Sequence, residues 1–280
     1  RFLSVDPIAP DIFTPPSLNR YQYCLNNPGR FVDSSGGYDE EVHRDLTAAL
    51  AYVVGFSEQQ GNQIANADQW LDEEGSGASA MMAGRKGYDN RLLYYFTTEE
   101  RRNQLWSAFE GQINFYGNDP LSALGTYLHA QQDSFSHEGF GPGTGQGWAI
   151  GEGFDPQHPI DSIYEGMAKY DKTNWSPEAV DKAVRMSRDT LGRLLQARNL
   201  LAASGRFGSF RKPVPYENDK FINDKLREWA LAPTRDDKRV ILFQIMNYVT
   251  RYYDAAEGTG RKNPRRKKTK TSVRILDEEE

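Results

Sequence analysis

One predicted helix, DPLSALGTYLHAQQDSFSH at residues 119–137, organises the interpretation of the whole chain. Its Asp119-Pro120 pair is typical of a helix start, because the aspartate can cap the first turn and proline fits a position that needs no backbone hydrogen bond. The spacing of the apolar side chains then predicts one buried stripe along the helix. That stripe consists of Leu121, Leu124, Leu128 and Phe135.

The same helix has a second row of polar side chains. His129, Asp133 and His137 follow at intervals of four residues, which places them within roughly 80° on the helix surface. Lys and Glu would be more common on a solvated face. Imidazole and carboxylate groups in this order suit zinc or another divalent ion, although they could equally form a hydrogen-bonded core network. Small residues leave room beside the row: Gly125, Ala130 and Ser136.

Three further candidates for the same site occur earlier in the chain. His43 lies near the start of a helix predicted over EEVHRDLTAALAYVVGF, which ends near Gly55. Asp68 and Asp72 lie four residues apart on a second helix, which a capping box at Ser57 opens. An acidic pair is also typical of a solvated helix end, so these aspartates have two interpretations.

The rest of the chain is predicted to be mainly helical. Two further helices are predicted to start at Thr97 and Ser176. The last helix is predicted to start at Thr234 and to end near Gly258. Gly-rich stretches at 75–87 and 139–153 are predicted loops. His158 follows the second loop, where a lone histidine is more often not a ligand than a ligand. These loops are expected to border a substrate cleft.

Composition excludes several classes of site. The net charge of −5 gives no overall attraction to nucleic acid, although RKNPRRKKTK at 261–270 is basic and is either a solvated tail or a phosphate-binding arm. The single cysteine, Cys24, excludes an intrachain disulfide and a Cys-rich zinc site. No stretch approaches the ~18 uninterrupted apolar residues typical of a membrane span. A Gly-x-Ser-x-Gly elbow and a phosphate-loop ending are absent from the sequence.

Residues 1 to about 36 differ from the rest, since their Pro, Asn, Asp and Gly content favours short strands and tight turns. The pieces RFLSVDPI, SLNRYQYCLNNP and FVDSSG closely resemble the end of the RHS repeat-associated core domain. In that family the segment closes a repeat-built β shell and a variable toxin domain follows. The resemblance implies a secreted toxin delivered into a target cell, with the RHS shell and a cognate immunity protein as partners. The family's usual Asp-Pro-x-Gly ending, tied to self-cleavage, is Asp33-Ser34-Ser35-Gly36 here.

A second resemblance covers roughly residues 40–200. VHRDLTAALAYVVGFSEQQGNQIANADQWLDEE, followed by LHAQQDSFSHEGFG, is similar to a bacterial family related to zinc-dependent phospholipases C and single-strand nucleases. It implies a multi-helix bundle with a divalent metal, zinc foremost, and one or two ions rather than the three of the wider superfamily. The ligands it implies are His43, Asp72, His129, Asp133 and His137.

Together these observations predict three regions: the end of an RHS core at 1–37, a helical toxin domain at 38–258 and a charged tail at 259–280. The expected activity is metal-dependent hydrolysis of phosphodiester bonds, with phospholipids favoured as substrates. Asp68 would act as the catalytic base or hold the attacking water. Two alternatives stay open, namely a metal-dependent nuclease and a non-enzymatic helical domain that acts by binding its target.

Overall fold

The computed structural model describes residues 40–73, 89–95, 97–115, 117–136, 173–174 and 176–256. Within these ranges the chain is helical and contains no β-strand, which confirms the mainly α class. Its α-helices in chain order are α1 (Thr47–Val53), α2 (Glu58–Trp70), α3 (Glu99–Ile113), α4 (Pro120–Ser136), α5 (Pro177–Ala203), α6 (Lys220–Leu231) and α7 (Arg235–Ala256). Shorter helical segments are the π-helical Glu40–Leu46 and Arg91–Tyr95 and the 3₁₀ turn Tyr216–Asn218.

Several sequence predictions lie outside the described residues. They concern the RHS-like segment 1–37, the loops 75–87 and 139–153, the charged tail 259–280, and the two histidines His137 and His158. In the part of the chain that the structure does describe, none of the helices combines the length and hydrophobicity needed to cross a membrane.

Local capping signals account for where the predicted helices begin. The Ser57 hydroxyl accepts from the backbone N–H of Gln60 at 3.2 Å, and the Gln60 side chain accepts from the backbone N–H of Ser57 at 3.0 Å. This is the predicted capping box at the start of α2. The hydroxyl of Ser176 caps α5 in the same way, and the carboxylate of Asp119 accepts from the Ser122 N–H at the start of α4.

The first helix ends at a position that requires glycine. The Glu40–Leu46 segment continues directly into α1, and the chain then turns at Gly55, whose φ is 101°. A Cβ at Gly55 would lie 2.3 Å from the carbonyl oxygen of Arg211, which no side chain could tolerate. Because the Arg211 N–H donates to the Gly55 carbonyl at 3.1 Å, this turn is joined to the segment after α5.

Helix α4 lies at the centre of the bundle and packs against α2, α3 and α5. The three leucines of the predicted apolar stripe are buried, with Leu124 and Leu128 fully inaccessible, and Phe135 is partly buried against the core. The polar row is buried as well, since His129 and Gln132 are both 0% exposed and Asp133 is 5% exposed. Burial of polar groups on this scale is costly unless they have partners, so the polar face of α4 must have a specific role.

Gly125 allows α2 and α4 to approach each other closely. A Cβ at this position would lie 2.4 Å from the carbonyl oxygen of Ile64 and 2.8 Å from the backbone nitrogen of Asp68. The small residues of α4 predict free space beside its polar row, but at Gly125 this space is filled by the backbone of α2. The close contact places Asp68 against the His129 side of α4.

Helix α6 was not among the predicted elements, although its start is marked in the sequence. The Asp219 carboxylate accepts from the Ile222 N–H at 3.0 Å, and Ile222, Leu226 and Trp229 form a buried stripe at helical spacing. Helix α7 follows and ends at Ala256, close to the predicted end at Gly258. Helix α7 packs against the Glu40–Val53 helix, and α6 packs against α5 and α7.

Candidate metal centre

Three helical segments bring five predicted site residues to one place. His43 comes from the π-helical segment, Asp68 from α2, Asp72 from the turn after α2, and His129 and Asp133 from α4. Both histidines and Asp68 are at most 1% exposed, while the side chain of Asp72 is 15% exposed. The sixth predicted residue, His137, lies one position beyond the described end of α4.

The two imidazoles direct their Nε2 atoms toward the same two carboxylates. His43 Nε2 lies 3.2 Å from Asp133 Oδ1 and 3.8 Å from Asp72 Oδ2. His129 Nε2 lies 3.5 Å from Asp133 Oδ2 and 3.6 Å from Asp72 Oδ1. The two ring centroids are 4.3 Å apart. The two Nε2 atoms and the Asp133 carboxylate therefore converge between the helical segments, and the Asp72 carboxylate lies at the edge of this group.

These separations suit coordination better than direct hydrogen bonding. Charge-assisted N–H···O bonds are about 2.7–2.9 Å long, whereas four ligands at about 2.0–2.1 Å from a tetrahedral zinc ion lie roughly 3.3–3.4 Å apart. The observed range of 3.2–3.8 Å brackets the second value. His43, His129 and Asp133 each offer one ligand atom within 4.8 Å of the others, so this buried cluster could hold a metal ion.

Buried polar atoms at this point lack hydrogen-bond partners within the described part of the chain. They include both ring nitrogens of His129 and the Oδ2 atom of Asp72. An unsatisfied buried polar group costs about 1–3 kcal/mol, and native structures contain few of them. A ligand that accepts the lone pairs of Nε2 and Oδ2 would remove this cost. The donor set therefore fits a divalent cation on a physical ground that is independent of the distances.

The opposite edge of both rings faces Asp68. Its Oδ1 atom lies 2.9 Å from His43 Nδ1 and 3.5 Å from His129 Nδ1. The other oxygen, Oδ2, accepts from the Thr47 hydroxyl at 2.9 Å. Gln132 donates from Nε2 to Thr47 at 2.8 Å, and its Oε1 lies 2.8 Å from His43 Nδ1. Asp68 is thus behind the imidazoles and not between them and the candidate metal point.

The electrostatics of the cluster follow from its three carboxylates. Burial lowers the pKa of His43, but Asp68 and Asp133 outweigh it and leave that pKa well above its ordinary value. Burial also opposes the charged form of His129, yet Asp72 and Asp133 raise its pKa overall. Burial raises the pKa of Asp72, and the two imidazoles only partly compensate. The site therefore attracts positive charge, whether protons or a metal ion.

Tyr95 closes one side of the site. Its ring packs edge-on against His129, with 4.9 Å between ring centroids, and its hydroxyl donates to the carbonyl oxygen of Leu71 at 2.7 Å. The second contact fixes the turn that carries Asp72. Tyr95, Thr47 and Gln132 were not predicted from the sequence, because each is a common helix residue whose role depends on how the helices are rotated against one another.

Asp45, the acidic neighbour of His43, points away from the site. Its carboxylate accepts from Arg235 at 2.7 Å and from Arg239 at 2.9 Å, and so joins the first helix to α7. Only one face of the Glu40–Leu46 segment therefore contributes to the metal centre.

Comparisons with protein families, curated proteins and solved structures found no significant match for this chain.

Proposed function

We propose that the helical domain is a metal-dependent hydrolase of phosphodiester bonds that acts on phospholipids and serves as the toxin of an RHS-type effector. The observation that supports it most directly is the convergence of His43, His129 and Asp133 in one buried cluster, with Asp72 beside it and N–O distances of 3.2–3.8 Å between the Nε2 atoms and the two carboxylates. A purely structural hydrogen-bonded network would contract these contacts toward 2.9 Å and leave no orphaned nitrogens.

Net charge also favours a cation over a structural network. With neutral histidines the cluster holds two buried carboxylates, Asp68 and Asp133, and the partly buried Asp72, and a buried charge without compensation is strongly unfavourable. Protonation of both histidines compensates two of the three charges. A divalent ion compensates the same two charges while leaving the imidazoles neutral, and it also satisfies the orphaned atoms.

The ligands in this proposal are His43 and His129 through Nε2, together with Asp72 and Asp133. The Asp68 carboxylate lies on the Nδ1 side, so the described residues supply ligands for one ion. Asp72 is the most exposed member of the set and marks the side from which water and substrate would enter. Asp68 is 0% exposed and lies behind both rings, so we propose that it orients ligands instead of acting as the base.

A divalent ion here would supply Lewis-acid polarisation of a phosphoryl oxygen and lower the pKa of water. The protein's own residues would orient the reaction. Asp72 lies at the exposed edge of the ligand set, on the side from which water would enter. Tyr95 and Leu71 hold its turn in position.

The choice of phospholipid rests on the resemblance of residues 40–200 and on the net charge of −5, which opposes binding to a polyanion. A nuclease is the second candidate, because the basic segment 261–270 could bind phosphates. The two substrates are separated by assay. The zinc-loaded chain should release diacylglycerol from phosphatidylcholine vesicles and leave plasmid DNA and RNA intact.

The same assay tests the metal. Cleavage should be lost on chelation and in His43→Ala and His129→Ala, and retained in Ser187→Ala. Ser187 is a matched control, because it is a buried polar residue of α5 whose hydroxyl donates within its own helix to Ala183. A purified chain without bound metal, combined with unchanged toxicity of both histidine variants, would instead support the non-enzymatic alternative.

A further inference from the structure

The buried residues behind the imidazoles have hydrogen bonds whose directions can be deduced. Asp68, Thr47 and Gln132 are each 0% exposed. The Thr47 hydroxyl has one proton, and its two nearby acceptors are Asp68 Oδ2 at 2.9 Å and the Val42 carbonyl oxygen at 3.3 Å. Since a carboxylate and a carbonyl can only accept, the proton of Thr47 must point to one of them. Thr47 therefore has to accept from its third neighbour, Gln132.

This constraint fixes the orientation of the Gln132 amide. Its Nε2 donates to Thr47 at 2.8 Å, so its Oε1 must be the atom that lies 2.8 Å from His43 Nδ1. The Nδ1 atom then has two acceptor oxygens within 2.9 Å, one from Gln132 and one from Asp68. Only a protonated Nδ1 suits both of them. In a neutral ring the lone pair is consequently on Nε2, which faces Asp72 and Asp133.

We propose that Asp68, Thr47 and Gln132 form a positioning network that keeps Nδ1 of His43 protonated and directs its Nε2 lone pair to the metal ion. This inference rests on the proposed metal role of the two histidines. Outer-shell carboxylates orient metal-binding histidines in this way in many proteins. The same Asp68 oxygen lies 3.5 Å from Nδ1 of His129, an ion-pair distance without a hydrogen bond.

The network makes a specific prediction for Thr47→Val, which preserves the size of the side chain and removes the hydroxyl. Gln132 would lose its 2.8 Å acceptor and keep only the 3.5 Å hydrogen bond to Thr190, so its NH₂ group could rotate toward His43. That rotation would place a donor beside Nδ1, favour the Nε2-protonated form and oppose metal binding. We expect zinc affinity to fall by about 10–100-fold, the usual effect of removing an outer-shell partner. Asp68→Asn should weaken zinc binding at least as much.

The experiment is a competitive zinc titration of the full chain with matched variants. Thr190→Val is the control, because Thr190 is also a fully buried threonine but accepts only a long hydrogen bond of 3.5 Å from Gln132 and donates its own proton to Met186. It should keep the wild-type zinc affinity. Thr47→Ser restores the hydroxyl and should restore the affinity, which separates loss of the proton network from general misfolding. Long-range ¹⁵N–¹H spectra of the zinc-loaded wild type should show zinc on Nε2 and a proton on Nδ1 of His43.

The outcomes separate this inference from the proposed function. A wild-type chain that binds no zinc would overturn both. Tight zinc binding by the wild type with equal affinity in Thr47→Val and Asp68→Asn would overturn the positioning network alone, as would spectra with zinc on Nδ1. Selective weakening in Thr47→Val, rescue by Thr47→Ser and unchanged binding by Thr190→Val would support it.

Discussion

Two buried polar clusters among the described residues differ in how well their charges and hydrogen bonds are balanced. In the first, the ammonium of Lys238 donates to Glu41 and, at 2.7 Å, to the Thr173 hydroxyl, and Thr173 donates in turn to the Ala230 carbonyl. Lys238 is 3% exposed and its charge is balanced by one carboxylate. In the second cluster, three carboxylates face two imidazoles, and both nitrogens of His129 are unsatisfied among the described residues.

The difference distinguishes a structural cluster from a ligand site. A cluster that serves packing alone is expected to have equal numbers of opposite charges and to satisfy its hydrogen bonds. The Lys238 cluster meets the first condition, because one ammonium pairs with one carboxylate. The histidine cluster has excess negative charge and lone pairs directed at a common point. These properties cost stability in the metal-free protein and are therefore expected where a cation binds.

The largest expected effect is that of His129→Ala. The variant removes one of two nitrogen ligands, so zinc affinity should fall by more than the roughly 100-fold upper range of an outer-shell change. Zinc titration followed by the diacylglycerol assay measures both losses. Wild-type zinc affinity in this variant would show that the second cluster is structural like the first.

Lys238→Met should affect stability and not metal binding. It leaves Glu41 buried without its partner, which costs about 3–5 kcal/mol in typical cases. The double variant Lys238→Met/Glu41→Leu removes both charges and should recover most of that loss. Denaturant unfolding measures both free energies, and zinc titration of the folded variants should give the wild-type affinity. A stability loss that persists in the double variant would show that Lys238 and Glu41 do not simply balance each other's buried charge.

Gly125→Ala should disturb the histidine cluster through the backbone. The added Cβ would meet Ile64 and Asp68 of α2, so the two helices must separate, at a cost of about 1–3 kcal/mol together with weaker zinc binding. Gly192→Ala in α5 is the matched control, since its Cβ would meet nothing within 4 Å. That substitution should stabilise the protein by about 0.5–1 kcal/mol. Thermal unfolding and zinc titration of both variants test this contrast.

The smallest expected effect concerns folding stability as a function of pH. Stability of the metal-free protein should fall as pH rises, whereas the stabilisation by zinc should grow. Despite burial, nearby carboxylates raise the pKa of His43, so its contribution to metal-free stability is present at low pH and is lost as pH rises through the folded pKa. The pKa of Asp72, raised by burial, acts in the same direction. Zinc competes with these protons, so its stabilising effect should grow between about pH 6 and pH 8. A zinc-induced shift in melting temperature that is constant over this range would contradict the proposed ligands.

Sequence patterns predicted features that depend on local chemistry. The capping residues Ser57 and Ser176 and the Asp119-Pro120 start act within one turn, and the structure has helices at each of them. The spacing of His129 and Asp133 likewise fixes their common face on α4. Helix α6 was missed even though Asp219 and the Ile222–Trp229 stripe mark it.

The parts that sequence patterns could not predict depend on the way the helices cross. The rotation of the first helix decides that His43 enters the site while Asp45 pairs with Arg235. The closeness of α2 to α4 decides that Asp68 lies at the Nδ1 atoms rather than with Asp72 at the Nε2 atoms. No periodicity in a single helix contains this information.

The groups around the candidate ion come from distant parts of the chain, and His43 and its partner Gln132 are 89 positions apart. An unfolded polypeptide cannot hold such groups together, so the ion would bind the folded domain alone and add to its stability in proportion to the logarithm of free metal concentration. Any process that unfolds the domain, such as passage through a narrow pore, would release the ion. The refolded chain would then draw a new ion from its surroundings, and its activity would report the metal supply of the compartment in which it refolds.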